Sequence, residues 1–306
     1  MGAGVRAKIG SQHGRCRAPR VVALALVFLF AWGAAAGEIG EVGAASENRP
    51  GPEPHDSLES MFTLYQPYLP NIRAYEPMYF LVGTRPRKSK FQFSFQYQLL
   101  NAEGPLAQRY PWVNGLHLAY TQTSLWDLQS DSKPFEDTSY KPELFFLSRN
   151  LQPRGESRLR VFVQGGVQHE SNGLGGEFSR STNVVYVKPI LIWLWPDTMT
   201  GLQLAPRLWL YVGNDEAANP DLEDYRGYFD LEVKCGQGQG PVLETHLGLA
   251  EAGGSLRVDL SYPLYRSVFR NFALYAHAQY VNALAESLIS YRERSEALRF
   301  GISLVR

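Results

Sequence analysis

Three polar residues of this chain have the types and the spacing that acyl transfer requires. His169 and Ser171 are two residues apart, and Asn183 follows in the next apolar segment. A serine hydroxyl is a weak nucleophile at neutral pH unless an imidazole takes its proton, and a third group must hold that imidazole in one tautomer. Because an asparagine can orient the imidazole through its side-chain oxygen, the set predicts nucleophilic acyl transfer.

The pattern alone leaves a second interpretation open. A His-x-Ser triplet is common in proteins, and polar residues also gather where a membrane strand reaches the water interface. The elements around the three residues must therefore decide between the two.

The three residues lie at the adjoining ends of two segments with strand-like alternation, 158–171 and 181–196. In the first segment Gln164, Gln168 and Glu170 form the polar, interior row, so His169 and Ser171 continue the apolar row that faces outward. A hairpin turn centred near Gly176 places His169 directly opposite Asn183, with facing Cβ atoms ~5 Å apart. The same register pairs Val161 with Leu191, Val163 with Pro189, Gly165 with Val187 and Val167 with Val185.

Period-two alternation recurs along the chain from residue 78. In the clearest case, aromatic residues such as Phe93 alternate with amides such as Gln92. The segments match a tilted membrane strand of ~9–11 residues, and an even number of antiparallel strands closes without an unpaired edge in lipid. The sequence therefore predicts an all-β fold, a twelve-stranded antiparallel transmembrane β-barrel with a short periplasmic N-terminal segment. The predicted strands are 78–86, 89–100, 115–128, 140–150, 158–171, 181–196, 201–213, 225–236, 242–252, 255–265, 271–283 and 297–306.

A soluble β-sandwich would show a similar alternation. The barrel is favoured because the polar rows carry charges of both signs on consecutive strands, while the apolar rows carry bulky aromatic residues. Twelve strands enclose a narrow lumen, which paired charges are expected to fill. The residues assigned to the lumen are Arg207, Arg226, Asp230, Glu232, Lys234, His246, Arg257 and Asp259, together with His117 and His277 as hydrogen-bonding residues.

Residues 1–36 have the features of a secretory signal peptide. A basic region without acidic residues precedes the apolar run from Val21 to Trp32, and small residues around Ala36 offer a cleavage site. That run is shorter than the ~20 residues a membrane-spanning helix needs. Residues 37–77 are rich in Gly, Glu, Pro and Ser and are predicted to be a flexible lead-in, with the barrel at 78–306.

Charge argues against a nucleic-acid-binding protein, and cysteine content argues against a disulfide-stabilised fold. Five of the 30 basic residues lie in the signal segment, which leaves 25 against 30 acidic residues, so nucleic acid is not expected as a partner. Cys16 also lies in the signal segment, so Cys235 has no intrachain partner and no disulfide framework is expected.

The hairpin residues carry a family resemblance. The stretches His169-Glu170-Ser171-Asn172-Gly173 and Ser179-Arg180-Ser181-Thr182-Asn183 resemble the active-site hairpin of the outer-membrane phospholipase A family, with the same His-to-Ser and His-to-Asn spacings. Further matches follow in order along the chain: Phe62-Thr63-Leu64-Tyr65, Tyr120-Thr121-Gln122, Pro134-Phe135, Gly213-Asn214, Asn219-Pro220-Asp221, Leu260-Ser261-Tyr262-Pro263 and Glu286-Ser287-Leu288-Ile289.

The resemblance implies an outer-membrane enzyme of a Gram-negative bacterium that hydrolyses acyl esters of phospholipids and lysophospholipids. It also implies dependence on Ca²⁺ and activity as a homodimer. At the matching positions Ser171 is the nucleophile, His169 the general base and Asn183 the residue that orients it, while the N–H of Gly173 helps to bind the oxyanion.

The resemblance further implies a calcium site and a subunit interface. The calcium ligands would be the Ser179 hydroxyl, the Leu174 carbonyl and a carbonyl near Ser132 of the partner subunit, all hard oxygen donors. Gln122 continues an outward apolar row and would lie in the dimer interface, where pairing across a two-fold axis would satisfy it. The alternative for Gln122 is an interfacial amide near the lipid headgroups.

An alternative exists for the class of the protein, and one acidic loop could be mistaken for a second calcium site. The competing class of protein is a passive or structural outer-membrane barrel, such as a narrow channel, without catalysis. The acidic residues between Asp215 and Asp224 do not have EF-hand spacing and are interpreted as a solvated loop.

Overall fold

The computed structural model describes residues 71–85, 88–128, 130–132, 134–152, 157–266 and 271–306. The predicted signal peptide (1–36), most of the predicted lead-in and the motif at 62–65 lie outside the described residues. No helix in the described ranges is long and apolar enough to cross a membrane. The strands are β1 (Ile72–Ala74), β2 (Met78–Arg85), β3 (Lys88–Gln98), β4 (Leu116–Asp127), β5 (Phe135–Leu147), β6 (Leu159–Ser171), β7 (Ser181–Trp195), β8 (Thr200–Tyr211), β9 (Phe229–Gln237), β10 (Val242–Ala250), β11 (Gly253–Pro263), β12 (Tyr275–Leu284) and β13 (Arg294–Val305). The α-helices are α1 (Pro105–Arg109) and α2 (Leu222–Arg226), and 3₁₀ turns span Pro111–Gly115, Gly176–Phe178, Pro196–Thr198 and Leu264–Arg266.

The strands form one closed antiparallel sheet. Each strand from β4 to β12 pairs with the next, β13 pairs with β2, and β3 pairs with both β2 and β4. β1 pairs with β3 beyond the end of β2, so β1 and β2 together fill one position in the ring. The barrel therefore has twelve positions, which confirms the fold expected from the sequence.

The break between β1 and β2 places an aromatic residue in the lumen. Pro77 has no N–H to offer the ladder, and Tyr75 leaves it to stack on Phe145 with ring centroids 5.1 Å apart. The Tyr75 hydroxyl donates to Glu143 Oε1 at 3.0 Å. Among the described residues the first strand thus starts at Ile72, before the expected boundary at residue 78, because a broken strand shows no continuous alternation.

The outward rows of the barrel are apolar. Large apolar side chains remain exposed on consecutive strands, an arrangement that soluble proteins rarely tolerate over a continuous surface but that suits a wall facing hydrocarbon. Exposed members of these rows are Phe80, Phe93, Leu118, Val167, Val187, Leu208, Leu247, Leu260, Leu298, Phe300 and Ile302.

The lumen is filled by paired charges, as predicted. Arg226 lies 2.7 Å from Glu170, and Lys188 lies 2.7 Å from Glu232. Buried charges persist only where a partner and further hydrogen bonds compensate their lost hydration. Most residues assigned to the lumen from the sequence have a partner that can carry the opposite charge: Arg226 with Glu170, Asp230 with His246, Glu232 with Lys188, Lys234 with Glu244, Arg257 with Asp259 and His277 with Asp259. Arg207 instead contacts Gln168 and Tyr186, and His117 contacts the Gly115 carbonyl.

Two loops close the end of the lumen next to the β6–β7 turn. Leu222 from the β8–β9 loop packs against Leu288 and Tyr291 from the β12–β13 loop, and all three are buried. In the second of these loops the Ser287 hydroxyl donates to Asp137 Oδ2 at 2.5 Å. Loop side chains therefore occupy the mouth of the barrel.

Three predicted strand starts were wrong by four or five residues. β5 begins at Phe135 and not at 140. Asp137 interrupts the apolar pattern because it faces the lumen, where it accepts a hydrogen bond from Ser287 of the β12–β13 loop. β9 begins at Phe229 and not at 225, because helix α2 precedes it and Gly227, at φ +71°, ends that helix. β12 begins at Tyr275 and not at 271.

Candidate active site

The β6–β7 hairpin has the register predicted from the sequence. Val161 pairs with Leu191, Val167 with Val185 and His169 with Asn183. The antiparallel ladder extends two residue pairs past His169 and pairs Ser171 with Ser181 before the turn at residues 172–180. This regular pairing brings the ends of two strands, and the polar residues on them, side by side.

His169, Ser171 and Asn183 lie on the outer wall of the barrel. Their chain neighbours Gln168, Glu170 and Thr182 line the lumen, and successive side chains of a strand point to opposite faces. On the same rows as the three residues, Val167 and Val185 are exposed. The side chains of the candidate set are thus on the lipid-facing side, at the end of the hairpin next to its turn.

Asn183 is hydrogen-bonded on both sides of its amide. Its Oδ1 lies 2.8 Å from His169 Nδ1, and its Nδ2 donates to the Gly213 carbonyl at 3.0 Å. The backbone of the same segment is fixed by a bond from Val212 N–H to the Asn183 carbonyl at 2.8 Å. Because Nδ2 is bound to Gly213, Oδ1 is the atom that faces the imidazole. Nδ1 then carries the proton and Nε2 is left as the basic nitrogen.

Ser171 stands in a row of outward residues that crosses four strands. Gln122 on β4 pairs with Tyr140 on β5, which pairs with Ser171 on β6, which pairs with Ser181 on β7. Ser171 is half-buried, and its hydroxyl makes no hydrogen bond to any residue in the described part of the chain. Apo sites often form the nucleophile-to-base contact only when substrate binds.

Gly173, two residues beyond Ser171, has a conformation that only glycine adopts easily. Its φ is +69°, and a Cβ built on it would lie 2.7 Å from Cε2 of Tyr140. Its N–H makes no hydrogen bond to the residues that the structure describes. An unengaged N–H on an exposed glycine two residues after a candidate nucleophile has the chemistry of an oxyanion donor.

The residues implied as calcium ligands lie on two different loops. Leu174 is exposed and Ser179 half-buried on the β6–β7 turn, whereas Ser132 is exposed on the β4–β5 loop. Within the described ranges, the Leu174 carbonyl and the Ser179 hydroxyl carry no hydrogen bond, so both oxygens are available to a hard cation. The described residues contain no group of three or more His, Cys, Asp or Glu placed to hold a metal ion.

Gln122 has a partner within its own chain. Its Oε1 accepts a hydrogen bond from the Tyr120 hydroxyl at 3.0 Å, and its Nε2 lies 3.4 Å from Ser124 Oγ. From the sequence, this amide is expected to pair across a dimer axis or to lie near the lipid headgroups; within the chain, the Tyr120 hydroxyl already donates to its oxygen.

The β8–β9 loop, which carries Gly213, makes contacts with the hairpin and with the β12–β13 loop. Asn219 is fully buried and its Nδ2 donates to the Ser181 carbonyl at 3.0 Å. Asp221 accepts hydrogen bonds from Arg292 and from the Tyr291 hydroxyl, at 2.9 and 2.5 Å. The Arg292 guanidinium first and the Tyr291 hydroxyl second hold the pKa of the Asp221 carboxyl below its usual range.

No role is predicted from the sequence for three residues near the site. Tyr140 and Gly213 come from other strands and loops, and only the closed register brings them to Ser171 and Asn183. Asn172 had a signal within the motif itself, since it follows Ser171 directly.

The chain matches known proteins along most of its length. The family model for phospholipase A1 matches residues 58–304. Phospholipase A1 of Escherichia coli K12 is 30% identical over 229 residues, which is 72% of this chain and 71% of that protein. A Neisseria meningitidis serogroup B protein that carries the phospholipase A1 name is 30% identical over 201 residues, 61% of this chain. The chain spans about half, 48%, of the length of that relative.

Two solved structures share the fold. Outer membrane phospholipase A from Escherichia coli has a TM-score of 0.61 at 25% identity, covering 76% of this chain and 91% of that chain. The Salmonella typhi outer membrane phospholipase dimer with bound calcium has a TM-score of 0.61 at 24% identity, covering 76% and 92%. The fold is thus that of a twelve-stranded antiparallel barrel of the outer-membrane phospholipase type. The chain belongs to the phospholipase A1 family.

Proposed function

We propose that this chain is an outer-membrane phospholipase that hydrolyses acyl esters of phospholipids and lysophospholipids. The observation that carries the proposal is the 2.8 Å contact between His169 Nδ1 and Asn183 Oδ1 on the outer wall, on the same strand face as Ser171. Membership of the phospholipase A1 family supports the substrate class. Because the site is an open wall and not a closed pocket, we expect little selectivity between ester positions.

In the proposed reaction Ser171 Oγ attacks the ester carbonyl while His169 Nε2 accepts the hydroxyl proton. The bond from the carbonyl carbon to the glycerol oxygen breaks, the leaving oxygen takes the proton from His169, and the acyl group remains on Ser171 as an ester. Water then attacks that ester and passes a proton to His169, which returns it to Ser171 Oγ as the fatty acid leaves. The Gly173 N–H would donate to the oxyanion, a contribution of about 10²–10³ in rate for one such donor.

The proposed cofactor is Ca²⁺. The Leu174 carbonyl and the Ser179 hydroxyl would hold it, with a carbonyl near Ser132 of the partner subunit as a third ligand. Free oxygens on the turn next to Ser171 support this set, because calcium prefers oxygen donors. When bound, the ion would supply positive charge that favours the oxyanion.

The active form is proposed to be a homodimer whose interface includes Gln122. The Salmonella typhi relative is a dimer with calcium, and Gln122 stands in the same cross-strand row as Ser171. The proposed location is the outer membrane of a Gram-negative bacterium, reached by export through the signal segment 1–36. The apolar outer rows of the barrel support this location.

The test compares wild type with Ser171→Ala and Ser181→Ala, with calcium or a chelator. Ser181 is the control because it pairs with Ser171 across the ladder. Fatty-acid release from detergent-dispersed phospholipid should be lost in Ser171→Ala and retained in Ser181→Ala, and chelation should abolish it. An inactive wild type, or an equally active Ser171→Ala, would sink the assignment. Solute leakage from liposomes by an inactive wild type would instead favour the narrow-channel alternative.

A further inference from the structure

Asn172 links the two arms of the turn that carries the proposed oxyanion donor and calcium ligands. It is 3% exposed, although most of the turn around it is open to solvent. Its Oδ1 accepts hydrogen bonds from Leu174 N–H at 3.3 Å and from Arg180 N–H at 3.0 Å, and its Nδ2 donates to the Phe178 carbonyl at 2.8 Å. One buried amide therefore binds backbone groups at both ends of the turn.

The contact with Leu174 is an Asx turn that closes over Gly173. The bond runs from Asn172 Oδ1 to the N–H two residues later, so the N–H of Gly173 between them is not used. The backbone of Asn172 adds a bond from its N–H to the Arg180 carbonyl at 3.1 Å. The side chain thus restrains Gly173 at φ +69° while its donor stays free.

The contacts with Phe178 and Arg180 restrain the other arm. These residues flank Ser179, whose hydroxyl is a proposed calcium ligand, and Leu174 supplies the proposed carbonyl ligand from the first arm. Only an amide offers the required combination, because an aspartate has no donor for the Phe178 carbonyl and an alanine has neither group.

We propose that Asn172 is a positioning residue: its buried amide holds the Gly173 N–H, the Leu174 carbonyl and the Ser179 hydroxyl in the arrangement that catalysis and calcium binding need. This inference rests on the proposed function. The inference adds that one side chain, which is neither an oxyanion donor nor a calcium ligand, positions both the oxyanion donor and the calcium ligands.

The chain contains a matched control at the opposite end of the barrel. Asn150 Oδ1 accepts from Gln152 N–H at 3.1 Å and from Val161 N–H at 3.0 Å, and its Nδ2 donates to the Gln152 carbonyl at 2.8 Å. Its three-bond pattern resembles that of Asn172, but it lies at the far end of β6 from Ser171. Asn150 is half-buried and Asn172 is buried, so the control matches the hydrogen bonds and not the burial; loss of turn hydrogen bonds alone should affect both alanine variants in the same direction.

The experiment measures kcat, KM and the Ca²⁺ concentration for half-maximal activity in wild type, Asn172→Ala, Asn172→Asp, Asn150→Ala and Ser171→Ala. For Asn172→Ala we expect kcat to fall by about 10–100-fold, as misplaced catalytic groups commonly cause, with KM little changed and a higher half-maximal Ca²⁺ concentration. Asn172→Asp keeps the two bonds that Oδ1 accepts and should recover part of kcat. Asn150→Ala should match wild type in all three constants.

The outcomes separate this inference from the proposed function. If wild type is inactive or Ser171→Ala is active, the proposed function fails. If wild type is active and Ser171→Ala is inactive, but Asn172→Ala keeps the kcat and calcium dependence of Asn150→Ala, then the positioning role of Asn172 is refuted and the proposed function stands. Retained heat-modifiable mobility on gels would show that a slow Asn172→Ala is folded, and Asn172→Asp provides the second variant if Asn172→Ala does not assemble.

Discussion

The Gly213 carbonyl accepts a hydrogen bond from Asn183 Nδ2 at 3.0 Å, and this contact turns the amide oxygen of Asn183 toward the imidazole of His169. Gly213 lies on the β8–β9 loop, outside the hairpin that carries the three candidate residues. The orientation of the general base therefore depends on a loop that the hairpin does not contain.

Replacing Asn183 with alanine should slow the chemical step. We expect kcat to fall by at least about tenfold, since a positioned general base contributes roughly 10²–10⁴-fold. Asn183→Asp keeps an acceptor for His169 but sets a carboxylate oxygen against the Gly213 carbonyl, so its kcat should lie between wild type and Asn183→Ala. The control is Asn282→Ala, which removes an amide from the outer wall at β12. A wild-type kcat in Asn183→Ala would contradict the assigned role.

Two glycines of the same turn should respond differently to alanine. Gly173→Ala must hold a Cβ at φ +69° against Tyr140, at a cost of about 1–2 kcal/mol for the left-handed conformation alone. Displacement of its N–H should reduce kcat by up to about 10²–10³-fold. At Gly175 a Cβ would meet nothing within 4 Å and φ is not positive, so Gly175→Ala should keep wild-type kinetics. Equal kinetics in the two variants would argue against Gly173 N–H as the oxyanion donor.

The ion pair beneath the site should matter for stability. Glu170, between His169 and Ser171 in the chain, lies in the lumen 2.7 Å from Arg226 and 3.7 Å from Lys141. Arg226→Met should lower the free energy of unfolding by about 3 kcal/mol, the lower end of the range for a broken buried pair, because Lys141 still faces the carboxylate. The double variant Arg226→Met/Glu170→Gln should recover part of that loss, as urea unfolding in micelles followed by tryptophan fluorescence would show. A double variant less stable than Arg226→Met would contradict the pairing.

The contact between the β8–β9 loop and the β12–β13 loop should be sensitive to acid. Arg292 and Tyr291 lower the folded-state pKa of Asp221, so their contacts stabilise the loops at pH values above the ordinary aspartate pKa of ~3.9. That stabilisation is lost as the pH falls through the lowered folded-state value. Hydrogen exchange at residues 212–228 should therefore be slow near neutral pH and rise below about pH 4 beyond the intrinsic trend. In Asp221→Asn it should already be fast at neutral pH, and identical exchange in the two proteins would refute the contact's role.

The sequence was sufficient for the closed sheet and for the hairpin register. Side-chain direction repeats every two residues along a strand, so a one-residue slip would turn Val161 and Val167 into the lumen and expose Gln164. The apolar rows therefore exclude a one-residue slip, and the turn centred near Gly176 selects the register that sets His169 against Asn183.

The remaining features depend on contacts between distant parts of the chain. Asp137 could not be assigned to a strand from its neighbours, because its partner Ser287 comes from the far end of the chain. Gly213 likewise reaches Asn183 only when the β8–β9 loop folds over the hairpin. The hydrogen bonds of the Asn172 amide are local, but an asparagine after a strand does not by itself reveal which backbone groups it binds.

The central claim, that Ser171 is a nucleophile activated by His169, is tested most directly by covalent labelling. Wild type in detergent with calcium would be treated with a long-chain alkyl fluorophosphonate, and the modified residue located by tandem mass spectrometry. We expect a single adduct on Ser171, none on Ser181 or Ser179, and loss of the adduct in His169→Ala. An adduct at another serine, or labelling of Ser171 at an unchanged rate in His169→Ala, would contradict the account.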